Sequence, residues 1–234
     1  MMKKYALISL LLITVVISTR IQAQKCLGIS VKSGMGYEMA TYNGKDKLTG
    51  KILYNIKEVN TENGATVMSI EMQSFDAKDK LQTTNAYKCS CKGNELMVDM
   101  TSMLAGQENP LFKDAQMTFS STDLIYSDSY TVGAALKDAS LKGQGTMGGG
   151  MNLTYEMLMS NRKVAGQETI TTPAGTFNAF KITSDMKVST KTIMNISFDF
   201  QAVSFRAPNV LWDVRSETYR KDKLMAYSIL TKIF

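Results

Sequence analysis

Apolar and polar residues alternate with a period of two through much of this chain, the pattern of strands with one buried face. Ile52, Tyr54 and Ile56 alternate with Leu53, Asn55 and Lys57. Met151, Leu153, Tyr155, Met157 and Met159 alternate with Asn152, Thr154, Glu156 and Ser160, with Leu158 as the exception. Met194, Ile196, Phe198, Phe200 and Ala202 alternate with Asn195, Ser197, Asp199 and Gln201. Val210, Trp212 and Val214 read as a further strand, and Met225, Tyr227, Ile229 and Ile233 as the apolar face of the last one. Helical periodicity is weak throughout, and Met103 to Gln107 is expected to hold at most a short turn of helix.

Turn signals separate these runs. Tyr42-Asn43-Gly44-Lys45-Asp46-Lys47-Leu48 resembles Phe75-Asp76-Ala77-Lys78-Asp79-Lys80-Leu81, and Tyr219-Arg220-Lys221-Asp222-Lys223-Leu224 is a shorter version. Each places a polar turn between an aromatic residue and a leucine, as a hairpin does. Asn63-Gly64, Gly93-Asn94 and Pro173-Ala174-Gly175 mark more turns. Consecutive strands joined this way pair antiparallel, and a sheet of many such hairpins must curl to protect its edges. The expected fold is all-β: an antiparallel meander of hairpins forming a curved sheet, a barrel or an incomplete barrel, with a two-sheet sandwich as the alternative. The glycine-rich stretch 142–150 reads either as a linker or as a strand where backbones approach closely.

The first residues follow another pattern. Lys3 and Lys4 precede a run from Tyr5 to Ser18 that is almost wholly apolar. It is shorter than the roughly 20 residues that span a bilayer and has the length of a signal-peptide core. Ala23 offers a small residue for cleavage. Residues 1–23 are therefore expected to be a signal peptide, and residues 24–234 a single exported β domain with no further membrane span. Loss of Lys3, Lys4 and Arg20 lowers the formal charge from +6 to +3. No block of like charge remains, so a nucleic-acid partner is not expected.

Histidine is absent. That excludes Ser-His-Asp triads, Cys-His pairs and His-ligated metals. Met97-x-x-Met100-x-x-Met103 has the spacing of a thioether Cu(I) motif. In a chain with 17 methionines it reads better as core, so no metal or cofactor is expected. Asp213, Arg215 and Glu217 would share one face of a strand and could be catalytic carboxylates. Alternating charge on a solvent face explains them equally well, and no catalytic residue is assigned. Asn152-Leu153-Thr154 and Asn195-Ile196-Ser197 match the glycosylation acceptor pattern but lie within expected strands. Of three cysteines, Cys26 has either Cys89 or Cys91 as a disulfide partner.

A family resemblance is carried by Asn161-Arg162-Lys163-Val164-Ala165-Gly166-Gln167-Glu168, Thr172-Pro173-Ala174-Gly175-Thr176-Phe177, Val214-Arg215-Ser216-Glu217-Thr218-Tyr219 and Lys223-Leu224-Met225-Ala226-Tyr227-Ser228, with Cys91-Lys92-Gly93 and Val98-Asp99-Met100. These segments resemble the DUF3108-like family of exported Bacteroidota proteins, a family of unknown function. Leu211-Trp212-Asp213 departs from it, where the family pattern has a glycine beside the valine. The resemblance implies an exported β-rich domain and no reaction. It also favours Cys91 over Cys89 as the partner of Cys26.

The functional expectation is a non-enzymatic protein of the periplasm or cell surface that binds an apolar small molecule or lipid. Met151, Leu153, Tyr155, Met157, Met194, Ile196, Phe198 and Phe200 are the expected ligand-binding residues, because flexible methionines suit an adaptable cavity. An envelope interaction or assembly protein with an exposed sheet edge is the second reading. A histidine-independent hydrolase is the third.

Overall fold

A computed structural model describes residues 24–105, 116–147 and 150–234. The signal-peptide expectation for residues 1–23 lies outside the described residues. Among the described residues fifteen strands and one helix follow in order. The first half holds β1 (Lys25–Cys26), β2 (Ile29–Ser30), β3 (Gly36–Asn43), β4 (Leu48–Glu62), β5 (Ala65–Asp76), β6 (Leu81–Lys92), β7 (Glu95–Val98) and α1 (Met100–Ala105). The second holds β8 (Gln116–Thr122), β9 (Leu124–Ser127), β10 (Ala139–Met147), β11 (Met151–Thr172), β12 (Gly175–Lys191), β13 (Asn195–Arg206), β14 (Asp213–Arg220) and β15 (Lys223–Ile233).

β1 and β2 form a small ribbon. The other 13 strands make one antiparallel sheet in the order β8-β10-β11-β12-β13-β14-β15-β3-β4-β5-β6-β7-β9. Its two outermost strands, β8 and β9, are separated in sequence by Asp123 alone. The ends of the sheet therefore come together at that residue, and the sheet curls into a nearly closed barrel. Arg162 in β11 ties the seam further, donating from Nη2 to Ile125 O of β9 at 3.1 Å and from Nη1 to Lys137 O.

The related turns are built alike. Asn43 Oδ1 accepts hydrogen bonds from the Lys45 and Lys47 amides, and Asp76 Oδ1 accepts from those of Lys78 and Lys80. Asp46 and Asp79 both take a left-handed conformation, with φ of 57° and 61°. The third version is a tighter turn with both Lys221 and Asp222 left-handed, as in a two-residue type I′ hairpin. The helix begins at Met100, earlier than the expected Met103, because Asp99 caps it: its Oδ1 accepts from the Thr101 and Ser102 amides at 2.9 and 3.3 Å. The glycine-rich stretch is strand β10 up to Met147. There Gly143 leaves room for a neighbouring ring, since a Cβ would fall 2.6 Å from Phe119.

Two strand expectations are corrected. Val210, Leu211 and Trp212 are not in a strand. They belong to a loop, which Pro208 and left-handed Asn209 (φ 64°) turn inward, burying Val210 and Leu211. In β15 the buried residue is Leu230, of opposite parity to Tyr227 and Ile229; Met225 is exposed, and a bulge lies between Leu230 and Lys232. The main core runs through the barrel from Tyr37, Ile56, Met68 and Ile70 to Leu211, Val214 and Leu230, and takes in Cys26, Leu27 and Val31 of the N-terminal ribbon. Cys26 is disulfide-bonded to Cys91 of β6, with Cα atoms 5.3 Å apart. A second cluster gathers Met100, Ala139 and Leu141 beneath Tyr155, Met157 and Met159.

Candidate ligand cavity

The inturned loop between β13 and β14 shapes the barrel interior. Trp212 stacks on Tyr37 with ring centroids 5.2 Å apart and lies 5.3 Å from Tyr54. The indole lies near the Tyr87 hydroxyl and the Leu211 backbone near the Tyr37 hydroxyl, and each partly opposes the rise in pKa that burial causes there. Beside this aromatic group the interior is not filled. A cavity of about 250 Å³ remains, walled by side chains such as Met39, Met72, Leu96, Val98, Tyr54 and Trp212.

One side of this wall is polar. Arg206 at the end of β13 donates from Nη1 to Asp213 Oδ1 at 3.1 Å and from Nη2 to Leu211 O at 2.8 Å. The Tyr126 ring covers the guanidinium, its centroid 4.3 Å from Cζ. The charge is thus neutralised by a carboxylate, a carbonyl and an aromatic face. Ser216 and Ser228 also line the cavity and bond each other at 2.7 Å. Burial raises the Tyr54, Tyr87 and Tyr126 hydroxyls well above their ordinary range, and Asp213 adds to the rise at Tyr54 and Tyr126. Cys89 faces the same space as a free thiol, pushed up to about 12 mainly by burial. At neutral pH such a thiol is protonated and a poor nucleophile.

This cavity lies on other strands than the sequence suggested. None of Met151, Leu153, Tyr155, Met157, Met194, Ile196, Phe198 and Phe200 lines it. The strand register nevertheless brings most of them onto one face. Met157 is level with Val188 and Phe198, Tyr155 with Thr190 and Ile196, and Met159 with Met186 and Phe200. That face is closed at its β10 side, where Tyr155 and Met157 pack on the second cluster, and Leu153 is buried in β11. It opens toward β13: Phe200 is half-buried, Phe198 and Ile196 are exposed, and Met194 stands in the turn beyond the strand. Met151, at the start of β11, is exposed too.

The carboxylate trio is also rearranged. A bulge sets Arg206 level with Asp213 and Phe205 level with Arg215, so Val214 is the extra residue. Asp213 therefore turns into the cavity. Arg215 and Glu217 flank cavity-facing Ser216 and point the other way, bonded to each other at 2.6 Å, with Tyr219 donating to Glu217. Met97 lies in β7 and Met100 in α1 within the second cluster. Among the described residues no three His, Cys, Asp or Glu side chains are grouped to hold a metal ion. Likewise, no helix there is long and apolar enough to cross a membrane. Sequence reading missed Arg206, Tyr87, Tyr126 and Met72. The one signal for Arg206 was an arginine ending an otherwise apolar-alternating run, Val203-Ser204-Phe205.

Two solved structures share the architecture. One is a candidate lipoprotein from Parabacteroides distasonis, 20% identical, with a TM-score of 0.66 over 90% of this chain and 100% of that one. The other is a candidate exported protein with a YmcC-like fold from Bacteroides fragilis, 20% identical, with a TM-score of 0.64 over 87% of this chain and 96% of that one. At this identity the likeness establishes the fold. No curated protein matches the sequence. The DUF3108-like pattern matches residues 32–230, nearly the whole barrel from the strand before the first hairpin to the last, and the chain belongs to that family.

Proposed function

We propose that this is an exported envelope protein that binds a small, neutral, largely apolar molecule inside its barrel. The observation that carries this reading is the 250 Å³ cavity between Trp212 and the β3–β7 wall. Small barrels normally fill their interiors with side chains, so unfilled apolar space is informative. The volume lies just below the low end of about 300 Å³ for ligand sites and suits a small molecule of roughly ten to fifteen non-hydrogen atoms. The ligand is uncharged on this reading because Arg206 and Asp213 already satisfy each other, and Ser216 and Ser228 offer hydroxyls to one polar end. Export is supported by the basic and apolar first segment, by the Cys26–Cys91 disulfide and by the descriptions of the two structural neighbours as exported protein and lipoprotein.

Native mass spectrometry of protein purified from its own host tests the reading. A bound species of roughly 150–250 Da, lost in a Met72→Trp variant that fills the cavity but keeps its Tm, supports it. Apo protein only, together with no change in Trp212 emission across a panel of short esters, alcohols and aromatics, overturns it.

A further inference from the structure

The meander sorts its turns between the two ends of the barrel. The hairpin turns after β3, β5, β12 and β14 lie at one end, and those after β4, β6 and β11 at the other. At the first end β12 and β13 outreach their neighbours. Gln201 of β13 is level with Tyr219 of β14, so the turn 192–194 rises roughly 16 Å above the Arg220–Lys223 turn. The β10–β11 turn rises beside it, since Lys191 is level with Thr154 and Met151 lies further out on β11. This raised tip is apolar and almost free of charge. Ile193 is 86% exposed and Met194 69%, the two most exposed large apolar side chains among the described residues. Ile196 stands beside them at 51%, and Met151 is exposed on the adjoining turn. Residues 143–155 and 188–198 together contain one charged residue, Lys191.

The ground around the tip is basic. The lower turns at this end carry Lys45-Asp46-Lys47, then Asp76 with Lys78-Asp79-Lys80, then Arg220-Lys221-Asp222-Lys223. With Lys191 they make eight basic residues against four acidic ones, and Asp79 is already paired with Lys51 at 2.7 Å. The notch beside β13 adds Asp185 and Asp199, with Lys187 level with Asp199, and a basic excess of three remains. The opposite end is balanced: residues 24–35, 62–65, 92–95, 128–138, 172–175 and 206–213 hold five basic and five acidic residues. An apolar tip ringed by cations, at one end only, is complementary to an anionic lipid bilayer, whose apolar interior lies beneath negative headgroups. We propose that this end docks on such a surface, with Ile193 and Met194 entering the interfacial layer and the lysines of the surrounding turns facing the headgroups. Insertion stops at that layer. Among the described residues no strand pairs with the outer edge of 195–200, and its amides and carbonyls must stay hydrated. A tip inserted by about 5–10 Å leaves the Arg220–Lys223 turn about one Debye length from the headgroups.

Flotation of the purified exported protein with lipid vesicles tests the proposal. Phosphatidylcholine vesicles with roughly 30% phosphatidylglycerol should carry the protein at low salt and lose most of it at about 0.5 M NaCl, where charges are screened within a few ångströms. Ile193→Asp with Met194→Asp should abolish flotation and keep Tm, because both side chains are exposed. Lys191→Glu with Lys223→Glu should weaken it by at least about fivefold, and Lys92→Glu at the opposite end should leave it unchanged. Bimane attached to Ile193→Cys should shift to the blue on the anionic vesicles; it labels that site alone, since Cys89 is buried and Cys26 is bonded to Cys91. Absence of flotation with the anionic vesicles overturns the proposal. So does equal flotation with phosphatidylcholine alone, or flotation that survives the double aspartate variant. A concentration-dependent dimer that the same variant abolishes would assign the tip to a second copy of the chain and overturn it too.

Discussion

The pair Arg206–Asp213 allows a quantitative test of how the barrel interior is held. Asp213→Ala leaves the guanidinium buried, with Leu211 O and the Tyr126 ring as its remaining partners, and should cost about 3 kcal/mol, the lower end for stranding a buried charge. Arg206→Met removes the cation but leaves a carboxylate whose side chain is 18% exposed and can recruit water, so about 2 kcal/mol is expected. The double variant strands no charge. Its remaining cost is the lost bond to Leu211 O, about 1–2 kcal/mol, with Met filling part of the space. The two changes should therefore couple by about 3 kcal/mol. Urea unfolding followed by Trp212, the chain's one tryptophan, reports on this site directly. Single costs that add to within about 0.5 kcal/mol, at constant m-value, would show that the pair is solvated and would refute the reasoning.

Raised alkaline sensitivity is expected from the buried acids. Cys89, Tyr54, Tyr87 and Tyr126 hold their protons in the fold above their ordinary values of 9.0 and 10.0, so the unfolded chain binds fewer protons there, and stability falls as pH rises past about 9 by up to about 1.4 kcal/mol per unit per group. Absorbance at 295 nm should show these tyrosines ionising only together with unfolding; a smooth titration of all nine tyrosines of residues 24–234 in the native state would contradict this. Iodoacetamide at pH 8 should leave Cys89 unmodified in native protein and modify one thiol per chain in urea without reductant, whereas rapid native labelling would place Cys89 at the surface. Reducing Cys26–Cys91, which closes 65 residues, should cost about 4 kcal/mol in the chain-entropy model, and a shift of the urea midpoint equivalent to under 1 kcal/mol would reject that account. Arg162→Ala should cost about 2–4 kcal/mol and speed amide exchange in β9; unchanged exchange there would mean that the seam does not depend on this residue.

Strand-level organisation was legible in the sequence because it is local. Period-two alternation located β11, β13 and β15, and the Asn43 and Asp76 turns could be recognised by their similarity before their identical bonding was visible. The cavity was not legible, for a reason of parity and closure. Met151–Met159 and Met194–Ala202 do carry one apolar face, but alternation says only that a face is apolar, not what covers it. Their face is covered at one side by β10 and α1 and left open at the other, while the unfilled space arises where β3–β7 meet an inturned loop. Val210 to Val214 shows the limit most sharply. Its alternation matches a strand, yet Pro208 and Asn209 break the ladder and the bulge at Val214 reverses which side Asp213 faces. A one-residue bulge leaves no mark in hydrophobic periodicity, and it is what separates Asp213 from Glu217.

The single residue between β8 and β9 sets a mechanical rule for this barrel. Thr122 and Leu124 are two Cα steps apart, so at that level the rims of the sheet can never stand more than about 7 Å from each other, little beyond ordinary strand spacing. Away from Asp123 the rims are held by longer links, the chain from β9 to β10 through residues 128–138 and the bonds of Arg162 among them. The seam must therefore open like a zip fastened at one end, pivoting on Asp123 and widening with distance from it. Any widening of the bore is a wedge-shaped splay rather than a uniform dilation, and a single backbone nick at Asp123 would pass the load to residues 128–138 and to the bonds of Arg162.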